Sequence, residues 1–166
     1  MALTYELIAT ATPTTTAGSF TSIPQTYTHL RLVVNARVTS AWDVQAFQMN
    51  GNPTGYSGTY LEASGSGRTA GRGSSEISFR CGYIPGSSYS GIWSADIVDI
   101  FNYASTTQWK TCISDNKMPT NVGFGVQAKV GLWQNTSAVT SITYGTANGG
   151  TYASGTTIKL YGIKAA

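Results

Sequence analysis

A chain that performs acid–base or nucleophilic chemistry must supply a base, an acid, a nucleophile or a metal-binding set. Here the supply is small. There is one histidine, His29, in Tyr27-Thr28-His29-Leu30. In an alternating strand it falls on the polar side, away from Leu30 and Leu32. As a catalytic base it would need a nucleophile and an orienting carboxylate. No G-x-S-x-G elbow presents a serine, so the expected role is a solvent-facing or interface histidine. Seven carboxylates are available: Glu6, Asp43, Glu62, Glu76, Asp96, Asp99 and Asp115. Glycoside hydrolysis needs two of them facing one sugar. Asp96 and Asp99, three apart on a strand, point to opposite faces. No D-x-D-x-D-G loop offers a calcium site, and His29, Cys81 and Cys112 have no zinc-ligand spacing. Phosphate-loop and dinucleotide fingerprints are absent. The expectation is a non-enzymatic protein with no catalytic residue, no cofactor and no metal.

Charge points the same way. Charged residues make up 10% of the 166 residues, against roughly 25% in an average soluble domain. Ser, Thr, Gly, Asn and Gln take over the surface role. Neutral polar surfaces suit a protein covered by neighbours, or one that must not repel identical copies. The net charge of +3 comes from scattered residues, with no basic stripe for nucleic acid. The nearest candidate, Gly65 to Gly73 with Arg68 and Arg72, reads as a mobile surface loop between strands. No apolar run reaches the ~20 residues that span a membrane. No secretory leader pattern follows Met1, so synthesis and folding in a cytoplasm are expected, and the Asn135-Thr136-Ser137 sequon should stay unmodified. Two cysteines do not make a disulfide scaffold. Burial as thiols is expected, with a Cys81–Cys112 bridge left open by the sequence.

The elements that must position these residues are strands. Leu30, Leu32, Val34, Ala36 and Val38 alternate with His29, Arg31, Asn35 and Arg37, the clearest period-two run. Further strands are predicted at 3–12, 19–23, 42–49, 56–63, 76–83, 92–101, 109–114, 122–133, 139–144 and 156–163. In 76–83, Ile77, Phe79, Cys81 and Tyr83 share a face. The segment 92–101 is apolar on both faces and should be covered on both sides. Asp115 to Asn121 reads as a loop. Gly123, Gly125 and Gly131 predict a bulge or close packing. Turn signals every 10–15 residues, no repeat and no composition break predict one domain over 1–166. The expected fold is all-β: an antiparallel sandwich of jelly-roll type with about ten strands. Its core should include Leu30, Leu32, Val34, Ile97, Ile158 and Leu160.

Three stretches carry a resemblance. They are Thr4 to Thr10 followed by Phe20 to Leu30, with Ile23-Pro24-Gln25-Thr26-Tyr27-Thr28-His29-Leu30 at its end, then Asp96 to Thr111, with Ile100, Tyr103 and Lys110 inside it, then Phe124 through Trp133, Val139 to Thr143 and Ala153 to Ile163, closing on Leu160-Tyr161-Gly162-Ile163. In this order the chain resembles a group of tailed-bacteriophage virion structural proteins, common in marine and cyanobacterial phages. Their pattern is I-P-x-T-Y-x-x-L, I-x-x-Y-x-x-x-x-x-x-K and G-T-x-x-x-L-Y-G-I. The resemblance implies a virion location, no enzymatic activity and no catalytic residues. It gives Pro24 and Tyr27 the corner before the Leu30 strand, Asn102-Tyr103-Ala104 a turn, and Gly162 a close approach. Such proteins occur as head decorations and as tail or fibre domains. With the family-like stretches spanning the chain and no stalk or fibre repeat before them, a decoration or cement protein is expected. It would bind the major capsid protein or other virion proteins and copies of itself, as a trimer by the resemblance. The alternative is a tail or fibre module binding a host-surface glycan or receptor. Its support is the aromatic count, ten Tyr and four Trp, which serves interfaces and cores equally. Tyr56, Tyr60, Arg68, Arg72, Tyr89 and Trp133 are the candidate partner-contact residues.

Overall fold

A computed structural model describes residues 5–65, 67–118 and 125–164. They form twelve strands and no helix: β1 (Tyr5–Ala11), β2 (Ala17–Phe20), β3 (His29–Ala36), β4 (Trp42–Met49), β5 (Tyr56–Ser64), β6 (Gly67–Glu76), β7 (Phe79–Pro85), β8 (Ser94–Phe101), β9 (Lys110–Lys117), β10 (Val126–Trp133), β11 (Ile142–Thr146) and β12 (Thr157–Ile163). All pairings are antiparallel, in an eight-stranded sheet ordered β1-β12-β3-β8-β9-β10-β5-β6 and a four-stranded sheet ordered β2-β11-β4-β7. The expected antiparallel sandwich is the observed fold.

Strands β1 to β4 alternate between the two sheets, as do β7, β8, β11 and β12. The pairs β5–β6 and β9–β10 interrupt this alternation and lie side by side, as a four-stranded extension of the larger sheet. The core lies where the sheets face each other. It holds Leu30, Leu32 and Val34 from β3, Ile158 and Leu160 from β12, Val98 and Ile100 from β8, and Phe47, Met49, Ile142 and Ile84 from the smaller sheet. Alternation puts every second residue there.

Several residues of the resemblance meet at one end of the sandwich. The Tyr103 hydroxyl donates to the Pro24 carbonyl and accepts the Tyr27 N–H at 3.3 Å. The Tyr27 ring lies directly over Gly162, where any Cβ would collide with it. The Tyr27 hydroxyl donates to Glu6 at 3.0 Å, and Lys164 donates to the same carboxylate at 2.9 Å. Lys110 is fully buried, and its ammonium donates to three carbonyls, Ser105 at 2.8 Å, Gln108 at 2.7 Å and Thr136 at 3.2 Å. All three of its protons are thus used, which is what allows a lysine to be buried.

Several expectations need correction. The segment Gly65 to Gly73 is not a loop, because Gly67 onwards forms β6, paired to β5 from Ser64↔Gly67 to Gly58↔Gly73. Its glycines serve close approach. Gly71 lies under the Tyr60 ring, and Gly73 against the Glu76 carboxylate. Asp115, Asn116 and Lys117 belong to β9. Ile97 points outward and is exposed, while Ser94 and Asp96 take the inward positions of β8. That strand is covered on one face only. Ile77 lies outside β7 and is exposed. Gly131 marks close packing, against the Phe79 ring, and Gly125 abuts the Ala63 carbonyl. The expectation at Gly123 lies outside the described residues. Cys81 and Cys112 are buried free thiols.

The inward polar residues Ser114 and Asn116 of β9 have one physical purpose. Strand β7 is the last of its sheet and lies over β8, β9 and β10. Its outer edge would leave backbone groups buried and unpaired. Side chains of β9 supply the partners. Ser114 donates to the Cys81 carbonyl at 3.0 Å. Asn116 donates to the Tyr83 carbonyl at 3.1 Å and accepts the Tyr83 N–H at 3.3 Å, as a neighbouring strand would. Asn116 also donates to Asp96. Gly82 is required beside it, since a Cβ there would overlap Asn116.

Candidate interaction surfaces on the sheet extension

The two faces of the extension differ in chemistry. Register fixes which residues share a face. On the outer face one cross-strand row runs Val33, Ile97, Asp115, Ala128, Leu61, Ala70. The next runs Arg31, Asp99, Ile113, Val130, Thr59, Arg72. Leu61, Ile97, Ile113, Val126 and Val130 on this face are 39–65% exposed. They form an apolar band across β8, β9, β10 and β5 with no layer of the described residues over it. Over the extension it is hollowed into a groove of about 560 Å³ lined by Leu61, Ala63, Ala70, Val126 and Ala128. Arg68 on β6 and Asp115 on β9 rim it from opposite sides. A more polar groove of about 500 Å³ adjoins, carrying Val130, Thr59 and Arg72. Arg31 and Asp99 cross the band with a bidentate pair at 2.5 and 2.7 Å. This pair closes on itself, so the band keeps its apolar character.

The inner face of β5 and β10 extends past β7. Beyond that strand lies a cleft of about 170 Å³ lined by Tyr60, Tyr83, Arg80, Gly82, Gln127 and Lys129, with Val44 and Glu76 at its sides. Glu62 borders it, accepting from Gln127 at 3.1 Å and hydrogen-bonded to Tyr83. Lys129 lies 3.7 Å from Glu76 and over the Phe79 ring. Burial and the Glu62 carboxylate both push the Tyr83 hydroxyl pKa up, burial more strongly.

The predicted contact residues separate. Arg68 and Arg72 are exposed together on the outer face of β6. Tyr60 lies on the opposite face of the same hairpin. Tyr89 is half-buried in the turn after β7, where Arg37 holds the Gly86 and Tyr89 carbonyls at 2.8 and 3.0 Å. Tyr56 and Trp133 are corrections. Both are core residues, stacked with centroids 6.1 Å apart, and neither reaches a partner. Their polar atoms are used internally: Tyr56 Oη accepts the Met49 N–H at 2.7 Å, and Trp133 Nε1 donates to Thr54 at 3.2 Å.

His29 accepts the Asn102 N–H on Nδ1 at 3.2 Å and packs edge-on against Phe101. Among the carboxylates, Asp43 is buried and accepts the N–H groups of Asn148 at 3.0 Å and Gly150 at 2.8 Å, holding the loop after β11. Glu76 lines the cleft and Glu62 borders it through Gln127, a proximity that sequence spacing did not reveal. No group of three or more metal-ligating side chains occurs among the described residues. No helix there is long and apolar enough to cross a membrane. No protein-family model matches this sequence, and comparison with curated proteins finds no match either.

Proposed function

We propose that this chain is a non-enzymatic structural protein of a bacteriophage particle, a decoration or cement protein that docks on assembled shell proteins and on copies of itself. The observation that carries the docking role is the apolar band on the outer face of the eight-stranded sheet. Large exposed apolar patches are rare on monomers and mark sites of association. Low surface charge leaves little repulsion between copies. The phage setting rests on the sequence resemblance. The strand order supports the finer fold reading as well. With β5–β6 and β9–β10 set aside, β1-β12-β3-β8 facing β2-β11-β4-β7 follows the two-Greek-key order expected of a jelly roll, common in viral shells. A closed cyclic oligomer, a trimer by the resemblance, would place the same groove against each neighbour.

The test is labelling of the chain on intact particles, with the double variant Leu61→Glu, Val130→Glu as probe. The expected result is signal over the head and release of the variant from the shell. Both substitutions lie on the outward face, so the variant should fold. Label confined to the tail tip would reject the decoration reading and promote receptor binding. Cross-linking on the particle reads the copy number.

A further inference from the structure

We propose that the cleft between β7 and the inner face of β5 and β10 binds a neutral saccharide, one pyranose ring deep. Because β5 and β6 continue past β7, this part of the inner sheet face is open, and what it presents is not the apolar surface of the adjoining core. It presents two half-buried tyrosines with charged groups between them.

Tyr60 is held flat. One face of its ring lies against Gly71, where no side chain could fit, and the ring lines the cleft. Tyr83 is held by an edge-on contact with Trp42, centroids 5.6 Å apart, by a hydrogen bond to Glu62, and by Asn116 on its backbone. Flat, fixed aromatic faces are what the C–H face of a sugar stacks on, at low entropic cost.

The polar groups decide the ligand class. Arg80 and Lys129 line the cleft with two positive charges, Glu76 with one negative charge and Gln127 with a neutral amide, and Glu62 adds a second carboxylate at the border, bonded to Gln127 and Tyr83. An anion site would keep a net positive charge; with Glu62 at the border, the four charges here cancel. A hydroxyl both donates and accepts. Adjacent hydroxyls on one ring can therefore satisfy a carboxylate and a cation side by side, as this cleft arranges them. At roughly 30 Å³ per water, 170 Å³ holds about five or six waters, space for a single ring. Stabilising the β5–β6 hairpin would account for Glu76 with Lys129. It would not account for exposed Arg80, or for carboxylates and two tyrosines around an open space.

Saturation-transfer NMR on the full chain tests this. The probes are methyl glycosides of glucose, galactose, mannose and N-acetylglucosamine at millimolar concentration, with glucuronate and inorganic phosphate as anionic comparators. The expected result is transfer to the ring protons of at least one neutral glycoside, with shifts at Tyr60 and Tyr83. Tyr60→Leu still covers Gly71 but removes the platform, and should weaken binding about tenfold or more. Arg80→Ala and Glu62→Gln should each weaken it several-fold. Arg80 is exposed, so its variant folds even if Tyr60→Leu loosens the hairpin. Lys159→Ala, on β12, should change nothing. Silence with every neutral glycoside, binding of the anions instead, or binding indifferent to all three cleft variants would overturn the proposal.

Discussion

Asp96 offers the sharpest test of how the core is built. It sits on the inward face of β8, fully buried. Its Oδ1 accepts from Asn116, and its Oδ2 has no partner. Burial pushes its pKa from 3.8 up to about 8; the Asn116 hydrogen bond and Lys117 oppose the rise, and Asp115 adds to it. The folded protein therefore keeps a proton that the unfolded chain releases. The sign follows from linkage: this contribution to stability is intact below pH 3.8, is lost as pH rises, and levels off above about pH 8. Each pH unit costs about 1.4 kcal/mol. At pH 7 the accumulated loss is on the order of 4 kcal/mol, a large part of the 5–15 kcal/mol a domain of this size retains. Asp96→Asn keeps the shape and the acceptor for Asn116 but does not titrate. Urea unfolding of both proteins from about pH 4 to about pH 8 gives the difference curve, in which all other ionisations cancel. The variant should be equal or weaker at the acid end, where its second amide proton is an unpaired donor. It should be the more stable protein at neutral pH. A difference that stays constant across this range would refute a proton held on Asp96.

Three further perturbations follow from the packing. Lys110→Met keeps the stem but strands three carbonyls, and should cost about 3 kcal/mol in chemical denaturation. Gly162→Ala drives a methyl into the Tyr27 ring and should cost about 1–3 kcal/mol; in a Tyr27→Ala background the same change should cost much less, a coupling read by a double-mutant cycle. Cys81 and Cys112 are enclosed, and burial pushes both thiols up. They should therefore stay unmodified by a thiol reagent in the native protein and react fully in denaturant.

The strands that alternate cleanly, β3 and β12, were legible because their inward face is uniformly apolar. Reading failed where the inward face is polar. In β8 the apolar Ile97 suggests a core position, yet the inward set is Ser94, Asp96, Val98 and Ile100, and its two polar members bond groups on other strands. Asn116 looks like a loop residue in sequence and Ser114 like the end of a strand, and only the position of the β7 edge explains their roles. The Gly65–Gly73 segment misled for a related reason. Its glycines signal mobility when read alone, but Gly71 and Gly73 are cut away to admit Tyr60 and Glu76. Tyr56 and Trp133 flank turns, which suggested exposure. Their stacking pairs strands β5 and β10, which lie 77 residues apart along Tyr56↔Trp133. Lys110 fell inside a recognised pattern without a role, because its three acceptors come from a local turn and a distant loop.

The extension is where assembly and recognition can coexist. β7 lies over β8, β9 and β10, so β5 and β6 project about 10 Å beyond the smaller sheet at the usual strand spacing. A two-stranded hairpin is marginal on its own, and this one is tied down by its ladder to β10 and by the Glu76–Lys129 contact. Such a projection has two solvent faces from one set of strands, and alternation lets each evolve separately: Leu61, Ala63 and Ala70 outward, Tyr60 and Glu62 inward. A partner on the outer groove would order the hairpin from one side without touching the cleft. The cleft would then be presented at the rim of the assembly, and many copies on one shell would turn a weak single-ring contact into an avid one. The two proposals therefore separate experimentally: outer-face charges should abolish docking and leave sugar binding by the isolated chain intact, while cleft substitutions should do the reverse.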